Sequence, residues 1–132
     1  MRRTLSWLLA LSALASSSIA AQHDERLRIV GTASDVDIAQ PPSYQACPDI
    51  DAFWQNPVTI DERRPTRILV EFSIDPRGWV VPDSTRIIRS TYASLKQGAI
   101  AYIGSCVFRP ARTAEGRAVR VRVRWELRLS YR

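Results

Sequence analysis

Ala118-Val119-Arg120-Val121-Arg122-Val123-Arg124-Trp125-Glu126-Leu127-Arg128-Leu129-Ser130-Tyr131 alternates without interruption. Val119, Val121, Val123, Trp125, Leu127, Leu129 and Tyr131 fall on one face, while Arg120, Arg122, Arg124, Glu126, Arg128 and Ser130 fall on the other. Side chains along a strand point to opposite sides in turn, so a period of two held this long is a β-strand with one apolar and one solvated face. An apolar strand face has to be buried, and the rest of the chain must supply the layer that does it.

Working back from this strand, Thr113-Ala114-Glu115-Gly116 reads as a turn. Before it, Leu95, Ala99, Tyr102, Ile103 and Cys106 recur at three- and four-residue spacing and give one apolar helical face. Ser90 or Thr91 is the expected N-cap, and Gly104 and Pro110 end the helix. Ile68, Val70, Phe72 and Ile74 alternate with Leu69, Glu71 and Ser73, which predicts a further strand. Asp75-Pro76-Arg77-Gly78 is a turn in which Pro presets one backbone angle and Gly accepts a left-handed one. Trp79-Val80-Val81 then opens the second arm of a hairpin, Pro82 disturbs the pairing, and Arg86 to Arg89 continues extended. The order strand, strand, helix, strand predicts an α+β domain: a small antiparallel three-stranded sheet with one packed helix, preceded by an N-terminal arm.

The arm and leader differ from this domain. Residues 1–20 combine a basic start (Arg2, Arg3), an uncharged apolar run from Trp7 and small residues at Ser18-Ile19-Ala20. That is the layout of a secretory signal peptide cleaved after Ala20, because a spanning helix needs about 20 apolar residues. Residues 21–62 form a polar arm, in which Leu27 to Val30 is a short strand candidate and Phe53 and Trp54 are expected to pack on the domain. Residues 63–132 make up the domain. Residues 22–62 carry Arg26 and Arg28 against eight acids, a net of −6, whereas residues 63–132 carry fourteen Arg and Lys96 against five acids, a net of +10. An acidic arm beside a basic domain suits an anionic partner, contact within the chain, or simply solubility.

Two cysteines in an exported chain read as a disulfide, so Cys47 is expected to bridge to Cys106 and fasten the arm to the helix. Neither belongs to a CxxC pair, and His23 is the single histidine. No Ser/His/Asp set, metal-ligating cluster or phosphate-cradling Gly loop is present, so neither catalysis nor a metal or cofactor is expected. Asp75 and Asp83 read as turn residues rather than an acid/base pair. Trp54, Trp79 and Trp125 are expected to be buried or to cover the sheet. Glu71 and Glu126 are expected to pair across strands with the arginines.

Several of these residues resemble the TonB C-terminal domain family. Ile68 to Asp75 with Pro76-Arg77-Gly78 resembles the family's opening hairpin, Ile87-Ile88-Arg89-Ser90-Thr91 its lead into the helix, and Phe108, Pro110, Ala111, Gly116 and Val119 its block before the last strand. The resemblance spans about residues 65 to 132, with Asp75, Gly78, Phe108, Pro110, Ala111 and Gly116 as its motif positions. It implies a periplasmic module that captures an extended segment of a TonB-dependent outer-membrane receptor, or another envelope protein, by strand pairing along the last strand. The edge residues would be Val119, Arg120, Val121, Arg122, Val123, Arg124 and Arg128. It also implies that a free edge can pair with a second copy to give a homodimer. Energy-transducing members keep an uncleaved membrane helix and a Pro-rich spacer; with a cleaved leader and only residues 21–62 before the domain, the expectation here is binding without energy transfer. An uncleaved leader would instead anchor the chain in the inner membrane. The alternative is binding of anionic envelope polymers, lipopolysaccharide or glycan phosphate, through Arg120, Arg122, Arg124 and Arg128. Nucleic acid is not expected, because that face lacks interleaved aromatics.

Overall fold

The computed structural model describes residues 19–23, 27–32, 36–53 and 66–131. Most of the leader, Trp54 and the entry at residues 63–65 lie outside the described residues. In chain order the elements are β1 (Ile19–His23), β2 (Arg28–Thr32), β3 (Ser43–Ala46), a 3-10 turn (Ile50–Phe53), β4 (Thr66–Ile74) and β5 (Arg86–Ser90). A second 3-10 turn (Ala93–Leu95) runs into α1 (Lys96–Gly104), followed by β6 (Val107–Arg109), β7 (Ala111–Arg112), β8 (Ala118–Val119) and β9 (Val121–Tyr131).

The frame is the antiparallel pair β4–β9, in continuous register from Thr66↔Leu129 to Ile74↔Val121. Each strand alternates as its sequence predicts. Ile68, Val70, Phe72 and Ile74 from β4 and Val121, Val123, Trp125, Leu127 and Leu129 from β9 form one buried sheet face. Leu95, Ala99, Tyr102 and Ile103 from the helical segment cover it, giving the expected sheet-and-helix layers. Phe108 fills the middle, with its ring centroid 5.4 Å from Phe72 and 5.3 Å from Trp125. Aromatic pairs at these distances add roughly 0.5–1.5 kcal/mol each beyond their area burial.

The sheet has five strands rather than three. Strand β1, which straddles the end of the expected leader and the start of the arm, and β2 of the arm line the outer edge of β9, while β5 lies on the far side of β4. The physical reason is that β9 exposes an unpaired ladder along its whole length, and a chain with extended segments to spare satisfies it. Leu27 and Ile50 join the core, with Ile29, Ile38 and Phe53 packed against it. Cys47 and Cys106 are joined by a disulfide, as expected, with Cα atoms 4.2 Å apart. It ties the segment after β3 to the end of the helix, beside the β3–β6 pairing. Phe53 meets Tyr102 edge-on at 5.7 Å.

Four local readings change. The last strand is not continuous from Ala118. Ala118 and Val119 fold back on Ala111 and Arg112 after the Gly116 turn, and the long ladder starts at Val121, opposite the end of β4. The second hairpin arm pairs with the first only around the Ile74–Val80 bridge, flanked by the Asp75–Trp79 and Val81–Ser73 backbone bonds, and its strand proper is Arg86–Ser90. Across the excursion, the Ser84 hydroxyl accepts from the Ser73 amide and donates to the Val81 carbonyl, replacing a missing backbone partner. Neither Ser90 nor Thr91 caps the helix: Ser90 donates to the Tyr92 carbonyl, and Thr91 bonds the backbone of Arg67 on β4. Trp79 is 53% exposed, because the turn carries it past the end of the sheet. There the Arg77 guanidinium stacks 4.3 Å from its ring.

Candidate functional site

The motif positions named above come from two distant stretches, and the fold joins them. The Asp75 side chain accepts from the amides of Arg77 at 2.8 Å and Trp79 at 3.0 Å, and pairs with the Arg77 guanidinium at 3.1 Å. Burial pushes its pKa up, but these amide bonds and Arg77 together hold it below the ordinary aspartate value. Gly78 has φ +89°, and a Cβ there would lie 1.8 Å from the Phe108 carbonyl oxygen. The Phe108 amide in turn donates to the Gly78 carbonyl at 2.8 Å. Phe108 and Ala111 are fully buried, and Gly116 turns the chain with φ +82°. These residues brace the hairpin against the segment leading to β9, so their role is to position that strand.

The expected binding edge is occupied. The outer side of β9 pairs with β2 from Arg28↔Arg124 to Thr32↔Val121, and with β1 from Ile19↔Tyr131 to His23↔Leu127. Val121, Arg122, Val123, Arg124 and Arg128 therefore have strand neighbours on both sides. Val119 pairs with Ala111 instead, and Arg120 is an exposed residue between β8 and β9. On this edge β2 shifts register between Ile29 and Gly31. Arm strand formation was signalled by Leu27 to Val30; its partner strand was not.

The polar sheet face carries more arginine than β9 alone supplies. Cross-strand partners share a face, so Arg28 of β2 joins Arg124, while Arg67 of β4 joins Arg128. On the other side, Arg86 and Arg89 of β5 join Glu71 and Leu69. Glu71, buried at 7% exposure, is ion-paired with Arg122, with Arg124 at 3.3 Å and with Arg86 at 3.9 Å. The Arg122 hydrogen bond is the main reason its carboxyl sits below the ordinary glutamate value, outweighing the opposing effect of burial. Glu126 pairs with Arg128 at 3.1 Å and with Arg67 at 3.9 Å. Both cross-strand acid–arginine pairings thus form.

An open groove of about 530 Å³ lies between the Pro82 turn and the helix, where Ile100 and Gly104 line it. Its polar side chains are Asp83 and Thr85, which do not compose a catalytic set. Among the described residues, no three His, Cys, Asp or Glu gather as metal ligands. No helix among them is long and apolar enough to cross a membrane. Comparisons with protein-family models, with curated proteins and with solved structures each found no match.

Proposed function

We propose that this protein is an exported binding module that takes up an extended segment of an envelope protein along the outer edge of β9, with its own arm holding that place until the partner arrives. One observation carries this reading: that edge already accepts an antiparallel extended segment, in two short strands of five residues each. Backbone pairing of this kind is indifferent to most side chains, so what the arm does a partner strand can also do. The arm's hold is open to competition, because its β2 ladder slips register between Ile29 and Gly31. Processing after Ala20 would shorten β1 to its last three residues and uncover the positions of Ser130 and Tyr131. The resemblance to the TonB C-terminal domain points to a periplasmic setting and to an outer-membrane receptor, or a similar envelope protein, as the source of the segment.

The arm makes the proposal testable by its sign. Ile29 packs half-buried against the core, so Ile29→Ala weakens the arm's hold. Apparent affinity scales with the fraction of molecules whose site is open, so peptide binding should tighten about fivefold for about 1 kcal/mol of arm destabilisation. Titration calorimetry with receptor-derived extended peptides measures this. Unchanged or weaker binding by the variant would show that arm and peptide do not share an edge.

A further inference from the structure

The sheet face opposite the helix has a property that strand pairing does not use. Among the described residues it carries seven arginines (Arg28, Arg67, Arg86, Arg89, Arg122, Arg124 and Arg128) against Glu71 and Glu126, a net of +5 drawn from four adjacent strands. Arg28 and Arg89 have no acidic partner among the described residues. Arg122, Arg124 and Arg128 meet the glutamates through Nε, which orients each guanidinium, and among the described residues the terminal nitrogens of Arg124 and Arg128 make no hydrogen bond. The face has no lysine. A held guanidinium presents a planar fork that matches phosphate, which a flexible ammonium does not.

We infer that this face docks onto a phosphate-rich anionic bilayer. Strands lie about 4.8 Å apart and alternate residues roughly 7 Å apart, so the arginines form a two-dimensional array rather than a row. A linear polyanion would engage one line of such an array, whereas a sheet of headgroup phosphates engages all of it. Leu69 at its centre is half-buried, and among the described residues no aromatic stands in its array of arginines to stack on a base or insert among acyl chains. Attachment is therefore electrostatic and superficial, at the headgroup level, and fades within a Debye length as salt rises.

The test is co-sedimentation of the protein, as its producing cells process it, with vesicles of phosphatidylcholine alone or mixed with phosphatidylglycerol. Binding is expected only to the mixed vesicles, and should be lost at high salt. Each arginine near such a surface contributes about fivefold in partition, so R67Q/R89Q/R128Q should bind about a hundredfold more weakly. Because these side chains are exposed, the variant's circular dichroism and melting temperature should match the parent's. Glu126→Gln removes an opposing charge and should strengthen binding. Equal binding to neutral vesicles would overturn the proposal. So would a folded triple variant that binds like the parent, or a preference for an acidic peptide or DNA over the mixed vesicles.

Discussion

Gly78 shows how much a single position fixes here. Its φ of +89° lies in the region that L side chains avoid, and the Phe108 carbonyl occupies the space a Cβ would need. Gly78→Ala combines a left-handed backbone cost of about 1–2 kcal/mol with overpacking of about 1–3 kcal/mol. Chemical denaturation should show a loss of roughly 2–5 kcal/mol. Glu71, together with Asp75, makes stability depend on acid. The folded pKa of Glu71 is lowered from an ordinary value of 4.5, so its contribution is complete above that value and is lost as pH falls through the lower folded one. Glu71→Gln should cost roughly 2–3 kcal/mol at neutral pH, as expected for hydrogen bonds to charged groups, and should flatten the acid limb of a stability–pH curve. A variant with an unchanged acid limb would place that sensitivity elsewhere.

Elements were legible in the sequence where a period of two or of three to four was unbroken. The alternation of β4, the apolar spacing of Leu95, Ala99, Tyr102 and Ile103, and the Asp75–Gly78 turn each follow from local chemistry, and each is present. The break at Arg120 was hidden, because side-chain alternation continues through a point where the pairing partner changes from β7 to β4. The exposure of Trp79 was hidden for a similar reason: hydrophobicity gives a tendency to be buried, while the turn decides where the ring goes. The Cys47–Cys106 bridge was legible from the cysteine count read together with the expected secretory leader, and its consequence is measurable. It closes a separation of 59 residues, for which the chain-entropy estimate is about 4 kcal/mol. A Cys47→Ala/Cys106→Ala variant should lose roughly that much in denaturant unfolding, with increased amide exchange through β3 and β6, which the bridge adjoins. A loss below about 1 kcal/mol would mean that Phe53 and β3 hold the arm without it.

At the scale of the whole molecule, the layered α+β arrangement was readable, and the attachment of the arm to β9 was not. Pairing between residue 29 and residue 123 is a long-range choice of register, which local periodicity does not encode. That pairing changes the candidate site from an open edge to an occupied one, and partner binding becomes an exchange between two strands. The Arg face was partly visible in β9, but the contributions of Arg28, Arg67, Arg86 and Arg89 depend on which strands lie side by side. Edge and face belong to the same sheet, so a module lying on a charged surface would still present β9 sideways to a second protein.

The central claim is that β9 exchanges its own arm for a partner's extended segment. The most direct measurement is an amide-resolved NMR titration of the labelled protein with such a peptide. Signals from Arg28–Thr32 and from Val121–Arg128 should shift together, with β2 amides losing exchange protection while the β4–β9 ladder keeps its own. A bound peptide that leaves β2 protected and β9 unshifted would contradict strand exchange at this edge.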